Sequence, residues 1–98
     1  MEVRVFKLSN GEEVIAKVNR VIGDALNWHL EDPMILRVGQ DQAGRPQAGL
    51  IPFFISAKDC KVTISADHVL ASIDAPADIE AGYLTHTSGI QLASSLLQ

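Results

Sequence analysis

Few side chains in this 98-residue chain could recognise or transform another molecule. Trp28 and His29 are adjacent, and each joins an aromatic face to a polar edge. Either could stack on an exposed nucleobase, a contact worth ~1–3 kcal/mol per base. On a strand they point to opposite faces, so at most one of them meets a ligand. The larger Trp28 better suits a core or a subunit contact, which leaves His29 the more open of the two. His68 follows Asp67, and a lone exposed histidine in a turn is the common case. His86 has no chemical neighbour to recommend it. Lys7, Lys17, Arg20, Arg37 and Arg45 suit phosphate if one rim gathers them. Scattered along the chain, they are otherwise ordinary solvated charges. Arg45, in Gly44-Arg45-Pro46, falls in the longest loop.

No ordered catalytic set is legible. There is no Gly-rich phosphate loop, no His-Glu-x-x-His, and no Ser or Cys with an evident base. Cys60 is the single cysteine, which excludes an internal disulfide and a thiolate metal cluster. Lys58 and Lys61 beside it could lower its pKa, and a buried inert thiol is the alternative. Three dispersed histidines do not make a metal site. The expectation is a non-enzyme without cofactor or metal.

The length suits one core, and an apolar share of 47% is that of a globular domain. No apolar run approaches the ~20 residues that cross a bilayer, so no membrane partner is expected. Met1-Glu2-Val3-Arg4-Val5 alternates as a strand rather than running as a secretory leader, and a cytoplasmic setting is expected. The net charge of −4 argues against a broad basic face for nucleic acid. A local patch, built by several copies on one rim, remains open.

The elements that must position these residues read as strands. Residues 1–8 alternate, with Val3 and Val5 on one face and Glu2, Arg4 and Phe6 on the other. Ser9-Asn10-Gly11 is a hairpin signal. A long second strand over residues 12–21 is expected to bend and serve two sides of a small barrel. A third strand, residues 26–38, is interrupted at Asp32-Pro33, where an edge, bulge or sharp bend is expected. Residues 39–48 read as an exposed loop. The fourth strand, residues 49–56, contains Leu50-Ile51-Pro52-Phe53-Phe54-Ile55, apolar at every position and therefore without a solvent face. A second copy of the chain is the simplest cover for it. Residues 61–73 form the fifth strand, with Ala66-Asp67 as the place where it could break. Pro76, with Asp78 and Glu80 behind it, starts a helix that packs through Ile79, Tyr83 and Leu84. Gly89 is expected to interrupt that tail. The division is a barrel over residues 1–75 and a helical tail over residues 76–98, packed on the barrel or a neighbour.

With five short, strongly bent antiparallel strands opening on a hairpin, the chain resembles the Sm-like (LSm) family, roughly from Val3 to Ile73. Val5-Phe6-Lys7-Leu8-Ser9-Asn10-Gly11 resembles the family's first strand and turn. Asp24-Ala25-Leu26-Asn27-Trp28-His29-Leu30-Glu31-Asp32 resembles the stretch where an aspartate and then an asparagine precede the third strand. Ile64-Ser65-Ala66-Asp67-His68-Val69 resembles the second family motif, with Ser65-Ala66 in place of its Arg-Gly pair. The spacing from Asp24 to Asn27 is one residue shorter than usual, and a C-terminal tail stands where the family has an N-terminal helix. The pattern is most similar to divergent members from marine phages.

The resemblance implies a five-stranded, SH3-like barrel that joins edge to edge into a homo-oligomeric ring of roughly five to seven copies. It implies non-catalytic binding of single-stranded RNA, or DNA, in nucleic-acid processing, and a host cytoplasm if the chain is of phage origin. Asn27 and Asp67 inherit the base contacts, for which an amide and a carboxylate offer suitable edges. The alternative is that both only stabilise turns. His29, His68 and Arg45 complete the expected nucleic-acid site, a ring gathering copies of His68 at its pore. The expected subunit interface is Leu50, Ile51, Phe53, Phe54 and Ile55 against Val62 and Ile64 of the next copy. The other function that fits is a scaffolding ring for a protein partner.

Overall fold

The computed structural model describes residues 2–54 and 60–96, with residues 88–96 as helix backbone. The chain is mostly β. Its strands are β1 (Glu2–Leu8), β2 (Glu13–Val18), β3 (Asn27–Gln40), β4 (Pro46–Pro52), β5 (Lys61–Ser65) and β6 (Val69–Asp74). A 3-10 turn, Ala66–His68, joins β5 to β6, and helix α1 (Ala77–Leu96) follows. The strands make one antiparallel sheet in the order β4-β3-β2-β1-β6, with β5 also paired to β3. The path is open, with β4 and β6 at its two ends.

The β1–β2 hairpin forms as its turn residues require. Gly11 has φ +89, and the Asn10 side chain accepts from the Glu12 amide at 3.0 Å. The long bent strand is β3, not the second strand as expected from length. At Asp32 the backbone turns to φ +51, and the β2–β3 register slips between Ile15 and Lys17. Proline follows at position 33, where no amide is available for the ladder. The first half of β3 pairs with β5 and the second half with β4, along the same edge.

Three sequence boundaries are corrected. Half of residues 39–48 is strand, because β3 runs to Gln40 and β4 starts at Pro46. The Asp41 carboxylate, accepting from the amides of Ala43 and Arg45, and Gly44 at φ +80 close a tight hairpin instead. The fourth strand accordingly ends at Pro52 rather than at residue 56. The expected fifth strand is two, since β5 pairs with β3 while β6 crosses to β1, and the sheet has six strands rather than five.

Alternation buries both faces of the sheet. Phe6, Leu8, Val14, Ala16, Val18 and Leu30 form one cluster, with Trp28, Ile35, Phe53, Ile64 and Val69 against it. Val3, Val5, Ile15 and Met34 form the other, covered by Tyr83 and Ile79 of α1. Each fully buried large apolar side chain contributes about 1.5–3 kcal/mol. The helix is continuous through Gly89. One glycine costs only about 1 kcal/mol against alanine and does not end a helix by itself. Leu84 does not join Ile79 and Tyr83. It lies one residue round the helix from Tyr83 and is 38% exposed.

Candidate functional site

The loop after β2, the start of β3 and the turn after β5 meet at one end of the sheet. Asn27 opens β3 opposite Ser65, and the Ala66 amide donates to the Leu26 carbonyl at 2.8 Å. The turn is anchored on its other side, where the Ser9 amide donates to the His68 carbonyl at 2.8 Å. Two stretches far apart in sequence, around Asn27 and around Asp67, are therefore neighbours in the fold.

Asp24 organises this region. Its carboxylate accepts from the Leu26 amide (3.1 Å) and from Asn27 Nδ2 (3.3 and 3.2 Å), and Oδ2 lies 2.7 Å from His29 Nε2. The other ring nitrogen of His29 is 3.4 Å from Thr63 Oγ1 on β5. The sequence offered one signal for this role, an aspartate positioned to close an Asx turn two residues on. His29 and Asn27 hold the Asp24 carboxyl below its ordinary 3.8, the His29 contact first. The sign follows from that direction. Asp24 secures the loop above pH 3.8, and this contribution disappears as pH falls through its lower folded pKa. In an acid titration followed by NMR, the Asn27 side-chain amide signals are expected to stay fixed until below pH 3.8 and then move together with Leu26. In Asp24→Ala those signals should already be in the low-pH state at neutral pH.

Trp28 and His29 take opposite faces, as alternation requires. Trp28 packs edge-on to Phe6 with ring centroids 5.0 Å apart, a core contact. His29 lies with Asn27, Asp24 and Arg20 along a cleft of about 310 Å³. Asp67 and His68 are exposed on the 3-10 turn, with the Asp67 amide 3.3 Å from Ser65 Oγ. Arg45 does not join them. It sits in the β3–β4 hairpin, at the far end of β3 from Asn27, paired with Asp41 at 3.3 Å.

The expected interface residues divide. Leu50 packs towards α1, and Phe53 and Ile64 pack into the opposite cluster. Val62 stands half-buried opposite Leu30. Ile51 and Phe54 are 41% and 43% exposed, and Ile55 lies outside the described residues. Sequence reading missed Leu70 and Ile73 on β6, exposed by 68% and 55%.

Among the described residues, every Lys and Arg lies against a carboxylate. Arg20 and Arg4 share Glu2 at 2.7 and 3.0 Å, and Lys17 pairs with Asp32 at 3.1 Å. Lys7, Arg37 and Lys61 face Glu13, Glu12 and Glu31 at 3.5, 3.2 and 3.8 Å. The exposed pairs, those of Lys7, Arg20, Arg37 and Lys61, are worth only about 0–1 kcal/mol each, so a phosphate can displace the carboxylate at small cost. Cys60 is a half-buried free thiol. Among the described residues no group of three His, Cys, Asp or Glu could hold a metal, and no helix is long and apolar enough to cross a membrane. In comparisons with known proteins, the chain matches no family model and no curated sequence.

Proposed function

We propose that this chain is an Sm-like subunit that closes into a homo-oligomeric ring and binds single-stranded nucleic acid, RNA foremost, without catalysis. The observation that carries the reading is the meeting of the Asn27 and Asp67 stretches, tied by the Ala66 amide on the Leu26 carbonyl. These are the two places where the resemblance locates base contacts. The sheet order supports the assembly. A strand path that ends on β4 and β6 leaves two edges to be covered, and exposed apolar residues lie on or beside both. The β4 edge of one copy then receives β6 of the next, head to tail, and such contacts close into rings. A cytoplasmic setting, the host's for a phage protein, accompanies this proposal.

The pairing of every described cation favours a second reading, a scaffolding ring whose partner is a protein. Fluorescence anisotropy at low salt separates the two. Labelled oligouridine, oligoadenine and a mixed-sequence single strand should bind with modest affinity, steep salt dependence and preference over duplex. Asn27→Ala and His68→Ala should each weaken binding several-fold while light scattering shows an unchanged oligomer. If the intact oligomer binds no RNA or DNA strand, the scaffold reading replaces this one.

A further inference from the structure

We infer that the site selects guanine over uracil. The inference rests on the nucleic-acid reading above and specifies which base edge it accepts. Asn27 Nδ2 donates to both oxygens of Asp24, at 3.3 and 3.2 Å, which turns Oδ1 the other way. Among the described residues nothing donates to that Oδ1, nor to the exposed Asp67 carboxylate. Three amides of the turn are occupied. The Ala66 amide binds the Leu26 carbonyl, the Asp67 amide binds Ser65 Oγ, and the Val69 amide binds the Ala66 carbonyl. Arg20, the cation in the adjoining cleft, is held by Glu2 at 2.7 and 3.1 Å. With Ser65-Ala66 in the chain, no guanidinium reaches out from the turn itself.

The side-chain groups of fixed character left open on the two stretches, Asn27 Oδ1 and the Asp67 carboxylate, are acceptors. The Ser65 hydroxyl, which only accepts from the Asp67 amide, and His68, according to its tautomer, can each donate or accept and do not discriminate by themselves. Guanine presents two adjacent donors, N1–H and the N2 amine, which match the two oxygens of one carboxylate. Uracil presents one N–H between two carbonyls, whose oxygens would face the Asp67 carboxylate. Adenine and cytosine each place one amine beside an acceptor nitrogen. Leaving acceptors opposed is costly, and a bidentate match discriminates strongly between bases.

The test uses the full chain, labelled oligouridine, the same strand carrying central guanosines, and an inosine counterpart that lacks the N2 amine. Anisotropy at low salt should show the guanosine strand binding about tenfold more tightly than oligouridine, with inosine between them. Asp67→Asn should erase most of that preference, weakening the guanosine strand and tightening oligouridine, while oligomer mass stays unchanged. Equal or tighter binding of oligouridine, or a preference untouched in Asp67→Asn, overturns the inference and leaves the nucleic-acid reading standing. Failure of every strand to bind overturns that reading, and this one with it.

Discussion

Tyr83→Ala is expected to destabilise the fold by about 3–5 kcal/mol, the cost of truncating a buried aromatic. Tyr83 is fully buried, and its ring joins Val3, Val5, Ile15 and Met34. Its hydroxyl donates to the Asp32 carbonyl at 2.7 Å, and Lys17 Nζ lies 6.0 Å from the ring centroid. Small domains hold only about 5–15 kcal/mol in total, so this variant should be partly unfolded near body temperature. Tyr83→Phe keeps the packing and removes the hydroxyl, and should cost about 1 kcal/mol. Urea denaturation followed by circular dichroism measures both. Equal, small effects would mean that α1 rests on the sheet without supporting it. Burial, and then the Asp32 carboxylate, push the phenol above its ordinary 10.0. A raised folded pKa stabilises below the unfolded value and is lost as pH rises through the folded one, so the fold should weaken only in strong alkali.

If the chain closes into the proposed ring, Phe54→Asp is expected to convert it to monomer without unfolding it. Phe54 is 43% exposed just beyond β4, its ring edge-on to Phe53 at 5.1 Å. Buried at a β4–β6 contact between copies, the new carboxylate would be an unpaired charge, which interfaces do not tolerate. Leu70→Asp attacks the opposite edge and should act alike, because a head-to-tail contact uses each edge once. Phe53→Asp is the contrast. That side chain packs in its own chain's core, so the variant should lose stability as well as assembly. Light scattering at micromolar concentration reports mass, and circular dichroism reports folding. A wild-type protein that is already a monodisperse monomer removes the ring proposal.

The sequence made the alternating strands legible because alternation and burial are the same fact. Val3 and Val5 fall on one face and Phe6 on the other, and Trp28 and His29 separate as they must. The hairpin at Asn10-Gly11 was visible because Asn and Gly accept positive φ, and the interruption at Asp32-Pro33 because proline has no amide for the ladder. A break at Ala66-Asp67 was visible, but the separate pairing of β5 and β6 was not. Both halves carry strand-forming residues, and only the choice of partner separates them. The polar ends of β3 and β4 read as loop because a solvent-exposed hairpin has no apolar face to announce it. In the site, the types of Asn27, His29 and Asp67 were legible. The role of Asp24 was not, since a carboxylate that gathers its neighbours looks in sequence like any turn aspartate.

The bend at Asp32 has a geometric consequence for assembly. One strand, β3, supports β4 beyond the bend and β5 before it, so the angle at Asp32 sets how one outer edge is aimed relative to β6. In a closed ring that aim is the turn between neighbours, and five copies differ from six by only about 12° per step. The clamps on the bend come from separate parts of the chain: Lys17 on the carboxylate at 3.1 Å, Tyr83 on the carbonyl at 2.7 Å, and the Cys60 carbonyl on the amide at 3.0 Å. In the proposed ring the helix would act as a protractor, and loosening its grip on residue 32 would first be seen as a mixture of ring sizes.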